Sequence, residues 1–166
     1  MLYSATIEYA LRALAHIATL ESEERILARD LAEATQVPRQ FLGKILHRLA
    51  RIDMLDSAKG RGGGFRFSQD PSQIKVADVV AALDGGDISK QCVLGLDECN
   101  DQMPCPMHDV WTVFRKSLTE RIYAMTVADL GRNLRDKRLN SPGQATVLGT
   151  PPAAPPATPD EPAGDG

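Results

Sequence analysis

Apolar side chains at the start of the chain recur at helical spacing, with Ile7, Leu11, Leu14 and Ile17 on one stripe, which predicts an amphipathic helix over 4–20. Leu27 and Leu31 set the inward face of a short second helix over 27–34. After TQVP comes a third helical pattern. In PRQFLGKILHRLARI, Phe41, Leu42, Ile45, Leu46 and Leu49 face inward, and Arg39, Gln40, Lys44, His47, Arg48 and Arg51 face out. Pro38 suits the first turn of that helix, where its missing N–H is no loss. Two helices joined by a turn, the second basic on its exposed face, read as a helix-turn-helix.

The period then changes to two. MLDSAKGRGGGFRFSQDP has a short apolar start, four glycines around Arg61, and Phe65-Arg66-Phe67 in alternation, which predicts a hairpin with a basic tip. Glycine at the tip lets the backbone approach a surface with no Cβ in the way. A helix-turn-helix followed by such a hairpin is a winged helix. KVADVVAALD over 75–84 predicts a further short helix ended by Gly85-Gly86. An irregular loop follows, and then HDVWTVFRKSLTERIYAM sets Val110, Trp111, Phe114, Leu118, Ile122 and Met125 on one stripe of a long helix. A small domain has little left to cover that stripe, so it reads as a dimerisation helix, with packing on its own domain as the alternative. TVADLGRNL adds a last short helix capped by Thr126. Beyond Asn140 lie seven of the eleven prolines and no aromatic residue, a composition that predicts disorder. The expected organisation is mainly α: a winged helix-turn-helix over 1–84, a cysteine-bearing loop over 85–108, a dimerisation helix and short final helix over 109–134, and a disordered Pro/Ala-rich tail over 135–166.

Charge sharpens this picture. The total is −3, yet residues 36–66 hold seven basic side chains against two acidic, a local +5 that leaves −8 elsewhere. Such asymmetry suits a face that meets a polyanion while the remainder stays soluble. Arg39 and Gln40 stand at the start of the recognition helix, where either side chain can make bidentate contacts to a base edge. Lys44 and Arg48, on the same face, and Lys59 and Arg61, in the wing, suit phosphates. Gly43 is unfavourable inside a helix by about 1 kcal/mol relative to alanine, which points to close packing there against DNA or another helix. The glycine cluster is not a nucleotide loop, because GxGxxG is unmet and no GK[ST] follows. No nucleophile and base stand at suggestive spacing, so an enzyme is not expected, nor is a small-molecule substrate. The N-terminal pattern fits neither a signal peptide nor a membrane span. A cytoplasmic setting with reduced thiols follows.

All three cysteines fall in QCVLGLDECNDQMPCPMH, spaced C-x6-C-x5-C and followed by C-x2-H. Thiolates select zinc, copper(I) or iron–sulfur clusters. The short C-x2-C knuckle of structural zinc sites is missing, and the wider spacing suits a larger inorganic core. With Cys92, Cys99 and Cys105 as ligands, a fourth must be something other than cysteine: His108 locally, or Glu8 from afar. Zinc, or cysteines that act as unliganded thiol sensors, are the alternatives. A small iron–sulfur electron carrier is the rival from another class, and the +5 segment argues against it.

These parts together resemble the Rrf-two family of bacterial winged-helix regulators. The residues that carry the likeness are EYALRAL at 8–14, the helix pair through LGKILHRL, the wing KGRGGGF at 59–65, VADVVAALDG at 76–85, the three cysteines, and TVADL at 126–130. The resemblance covers about residues 1–134. It implies a homodimer on double-stranded promoter DNA, with helices in major grooves and wings on minor grooves or phosphates. It also implies an iron–sulfur cluster near the dimerisation helix whose state, responding to redox conditions, nitric oxide or iron–sulfur status, sets DNA affinity. Cys92, Cys99 and Cys105 are then ligands. In the IscR-like branch a histidine soon after the last cysteine is the fourth, which is His108 here, with a 2Fe-2S cluster. In the NsrR-like branch it is an acidic residue of the partner's first helix, which is Glu8 here. The chain carries both, with 2Fe-2S favoured over 4Fe-4S. It departs from the family pattern by one extra residue between the first two cysteines.

Overall fold

The computed structural model describes residues 4–21, 23–84, 92–97 and 99–140. Six helices and one hairpin make up the described chain. They are α1 (Ala5–Ile17), α2 (Ala28–Thr35), α3 (Arg39–Arg51), β1 (Leu55–Ala58), β2 (Gly64–Phe67), α4 (Val76–Asp84), α5 (His108–Ala124) and α6 (Val127–Asn140). The expected mainly α winged helix is what forms. The expected disordered tail beyond Asn140 lies outside the described residues, as do Gly85 and Gly86.

α1 is the hub. Ser4 caps it by accepting the Ile7 N–H, and Ile7, Tyr9, Ala10, Ala13, Leu14 and Ile17 are buried. Against this face pack α2, α3, α4 and α6. α2 stops at Gln36, which takes a left-handed conformation (φ 54°), and Val37 is buried before Pro38 turns the chain into α3. Leu42, Ile45, Leu46 and Leu49 carry α3 onto the core, as their spacing predicts. Phe41 is only half-buried, its ring 6.4 Å from that of Tyr9.

The wing is antiparallel, with Leu55 opposite Phe67 and Ala58 opposite Gly64. A feature not legible in the local pattern ties it down: Ile26, just before α2, pairs with Phe65 through two backbone hydrogen bonds of 3.0 and 2.9 Å. Arg25 reinforces this junction, with Nη2 2.5 Å from the Asp56 carboxylate and Nη1 donating to the Asp56 and Gly64 carbonyls. Arg66 bonds Asp56 and Glu23 from the other side. Arg25, and then Arg66, hold the Asp56 carboxyl below its usual range. A lowered folded pKa means that this stabilisation is present above the unfolded value of about 3.9 and is lost as pH falls through the folded value. Asp56→Asn should therefore lower the urea midpoint at neutral pH, and the gap to the unaltered chain should close as pH drops below about 3.9. A gap that stays constant with pH would show that the carboxylate charge is not what matters.

α4 and α6 begin side by side. Lys75 and Thr126 form an isolated bridge, with Val76 N–H donating to Met125 O at 3.0 Å and Val127 N–H to Ile74 O at 2.9 Å. Thr126 caps α6 as expected. Its Oγ1 accepts the Asp129 N–H while the Asp129 carboxylate accepts from the Thr126 N–H, a reciprocal capping box. α6 runs on to Asn140 rather than stopping at Leu134. The added turns hold Arg, Lys and Leu, good helix formers, and no breaker precedes Pro142. Leu134 is buried, and Arg135 donates to the Thr19 carbonyl on the end of α1. A Cβ on Gly131 would lie 2.6 Å from that of Ala18, so α6 and α1 approach to the limit that glycine allows.

The α5 stripe divides. Ile122 and Met125 pack on the core, and Trp111 and Leu118 are half-buried. Val110, Val113 and Phe114 remain 70%, 72% and 50% exposed.

Candidate metal centre and nucleic-acid interface

α3 and the wing present one cationic face. Arg39, Gln40, Lys44 and Arg48 on α3, and Lys59 and Arg61 at the wing tip, are all exposed, and none makes a hydrogen bond or ion pair among the described residues. Other arginines are paired: Arg12 with Glu8, Arg25 with Asp56, Arg132 with Asp129 and, at the border of this face, Arg29 with Asp30. Arg66, one of the seven cations of the +5 segment, is committed to Asp56 and Glu23 and anchors the wing. Gly60 (φ 84°) and Gly62 (φ 76°) shape the tip in backbone conformations that L side chains rarely adopt. Gly43 differs from expectation in one respect. A Cβ there meets nothing within 4 Å, so no other helix among the described residues requires the glycine. Arg29 and His47, which local patterns did not mark as site residues, border the same face between α2, α3 and the wing.

The second site forms where the loop meets the start of α5. The three cysteine sulfurs lie within 4.8 Å of one another, with Cys92 and Cys105 3.8 Å apart. Gly95 (φ 70°) donates its N–H back to the Cys92 carbonyl, and the Asn100 side chain accepts from Gln102 and Met103 N–H, so two tight turns fold the loop on itself. His108 opens α5 with its N–H on the Cys105 carbonyl at 2.9 Å. Its Nδ1 sits 3.2 Å from Cys99 Sγ and its Nε2 3.0 Å from the Asp101 carboxylate. Asp101 was not expected from the sequence, because nothing in its local pattern distinguishes it from any acidic loop residue. A carboxylate behind an imidazole fixes the ring, and here it leaves the other nitrogen facing Cys99.

Electrostatics at the loop follow from these contacts. The His108 hydrogen bond lowers Cys99 to about 6, and Cys99 followed by Asp101 raises His108. Desolvation pushes Cys105 up. The Cys99 and His108 shifts favour a thiolate beside an imidazolium, and a metal taken up by these groups would release protons, because thiolate and neutral imidazole are the forms that ligate. The donor set fits a soft metal. Two thiolates on one tetrahedral metal with bonds of about 2.3 Å stand about 3.8 Å apart, which is the Cys92–Cys105 spacing. Neither expected fourth ligand is among the converging atoms: His108 reaches Cys99 alone of the three sulfurs, and Glu8 lies apart from them. It lies on α1, half-buried, 2.5 Å from Arg12.

Fold and sites together define a winged-helix protein that carries a thiol-rich loop ahead of a long helix. Residues 3–133 match the family described as Rrf2, Iron-dependent Transcriptional regulator. A provisionally named HTH-type transcriptional regulator of Mycobacterium tuberculosis is 34% identical over 131 residues, covering 78% of this chain and 81% of its own. The HTH-type transcriptional regulator IscR of Photorhabdus laumondii is 26% identical over 147 residues, covering 82% and 89%. Among solved structures, CymR, the global cysteine regulator of B. subtilis, superposes with a TM-score of 0.65 at 21% identity over 78% of this chain and 95% of its own. IscR of T. potens superposes at 0.60, also at 21% identity, over 81% and 89%. This chain belongs to the Rrf2 family of DNA-binding transcriptional regulators, as the sequence motifs implied. Among the described residues no helix is long and apolar enough to cross a membrane.

Proposed function

We propose that this chain binds promoter DNA as a cytoplasmic homodimer and that an iron–sulfur cluster on Cys92, Cys99 and Cys105 governs that binding, without catalytic turnover. The observation that carries the reading is the convergence of all three cysteines at the head of α5, on the same chain as a face of unpaired cations. α3 enters the major groove, Arg39 and Gln40 read base edges, and Lys44, Arg48, Lys59 and Arg61 hold phosphates. The exposed Val110, Val113 and Phe114 of α5 form the seam between protomers.

When bound, the cluster supplies a centre that gains or loses electrons, reacts with nitric oxide, or falls apart when iron is short. The chain's own part is to gather three thiolates and to offer His108 as fourth ligand, with Asp101 orienting the ring. A 2Fe-2S cluster accords with that local ligand better than a 4Fe-4S one. Glu8, offered by the partner subunit's α1, is the other fourth ligand open to the dimer.

A zinc switch is the second reading, supported by the 3.8 Å between Cys92 and Cys105, which suits two thiolates on a single ion. The deciding experiment is anaerobic purification followed by a visible spectrum and analysis of iron, sulfide and zinc per chain. Colour with equal iron and sulfide supports the cluster. A colourless protein with zinc supports the second reading and removes the first.

A further inference from the structure

The cationic face of α3 and the wing has no counterion among the described residues. Arg39, Lys44, Arg48 and Arg51 on α3, and Lys59 and Arg61 at the wing tip, are exposed and enter no ion pair there. Of the two carboxylates in the same segment, Asp56 is taken by Arg25 and Arg66, and Asp53 pairs with no cation. Exposed cations elsewhere are sparser. Lys116, Arg121 and Lys137 are spread along α5 and α6, and Arg121 and Lys137 have Glu120 and Asp136 as chain neighbours.

One stretch of the sequence has the opposite character. Asp160, Glu161 and Asp165 fall together within 160–166, and positions 141–166 hold no lysine, arginine or histidine. Between α6 and these carboxylates lie residues 141–159, uncharged throughout and rich in proline. The described chain places the start of this spacer on the wing side. α6 passes the end of α1, where Arg135 donates to the Thr19 carbonyl at 3.2 Å. The neighbours of that carbonyl, Ala18 and Leu20, line a cleft whose other wall is Arg66, Phe67 and Ser68 at the base of the wing. α6 then ends at Asn140, about 8 Å further along its axis. From the base, the four residues of β2 carry the wing about 13 Å to its tip. A spacer of the length of 141–159 covers about 24 Å as a random coil and up to about 59 Å as polyproline II. Reach does not limit a return to α3 and the wing.

We propose that Asp160, Glu161 and Asp165 fold back onto the cationic face of α3 and the wing and compete there with DNA phosphates. The proposal rests on the DNA-binding reading above and adds to it a regulation of the same face. A tethered competitor lowers the affinity for every duplex by one factor, set by its effective concentration, and leaves the ranking of sequences alone. Its hold is electrostatic, so salt releases it.

The test uses the full chain, prepared anaerobically, and a duplex recovered by the unaltered chain from a randomised pool. Binding is followed by fluorescence anisotropy at several salt concentrations. The triple variant Asp160→Asn, Glu161→Gln, Asp165→Asn should bind about fivefold more tightly at low salt, the order that a few exposed ion pairs supply, and the gain should shrink as salt rises. A second triple variant, Glu21→Gln, Glu24→Gln, Asp136→Asn, removes the same charge from exposed positions off this face and should gain less than twofold. Contact is read separately and without DNA. The unaltered chain with benzoylphenylalanine in place of Ala163, irradiated at low salt, should cross-link to residues 39–61, and neutralising the three carboxylates should abolish those cross-links. The proposal is overturned if the first triple variant gains no more than the second, or if the cross-links fall outside 39–61. Failure of the unaltered chain to select any duplex would instead remove the DNA-binding reading, and the cross-links would still decide whether the carboxylates reach this face.

Discussion

Cys105→Ser should purify with less than about a tenth of the metal carried by the unaltered chain, because losing a ligand weakens binding by at least the 10–100-fold typical of perturbing a residue behind one. Cys105 is the one buried cysteine of the three, and its sulfur is the near neighbour of Cys92. Serine has nearly the same shape and keeps the backbone carbonyl that receives the His108 N–H, so the start of α5 should survive. It offers a hard oxygen that stays protonated at neutral pH, where the site needs a soft thiolate. The measurement is metal and sulfide per chain, set beside a melting curve. Full metal content in a folded Cys105→Ser protein would mean that the centre is built on other residues.

Gly64→Ala should cost at least about 3 kcal/mol, made up of backbone strain of about 1–3 and two lost hydrogen bonds of about 1 each. Gly64 has φ 130°, and an added Cβ would lie 2.5 Å from the Ile26 carbonyl oxygen and 2.8 Å from its carbon. These are backbone atoms that cannot swivel aside. They belong to the segment whose pairing with Phe65 joins the wing to the entry of α2. At roughly 3 °C per kcal/mol for a folded unit of this size, the melting temperature should fall by about 10 °C. A melting temperature unchanged by Gly64→Ala would show that the Ile26–Phe65 pairing contributes little.

Most helices and the wing were legible because each is encoded locally. The inward residues of α3 fall at the spacing its sequence announces, and the period-two run through Phe65 is β2 itself. Long-range pairings were not legible. Ile26 reads as a connector residue until Phe65, far along the chain, is brought beside it, and Arg66 looks like one more DNA cation until Glu23 and Asp56 surround it. The end of α6 is not legible because its last turns lack a stripe of their own, and the bond from Arg135 to the Thr19 carbonyl just past α1 is what ties them down. At the candidate metal centre the ligand types were written in the spacing, but their convergence depends on turns at Gly95 and Asn100. The partner that fixes the His108 ring is an exposed aspartate with no local mark.

The seventeen residues of α5 form a stiff rod about 25 Å long. Its foot is pinned, through Ile122, Met125 and the Lys75–Thr126 bridge, to the starts of α4 and α6, while its upper half leaves Val110, Val113 and Phe114 uncovered. His108 is the tip. A bar hinged at its foot turns a sideways push at the tip into torque at the hinge, and this hinge adjoins α6, which is seated on α1, the helix that backs α3. Among the described residues the thiol loop thereby sits at the end of the longest helix, with the cationic face of α3 two helices from its foot.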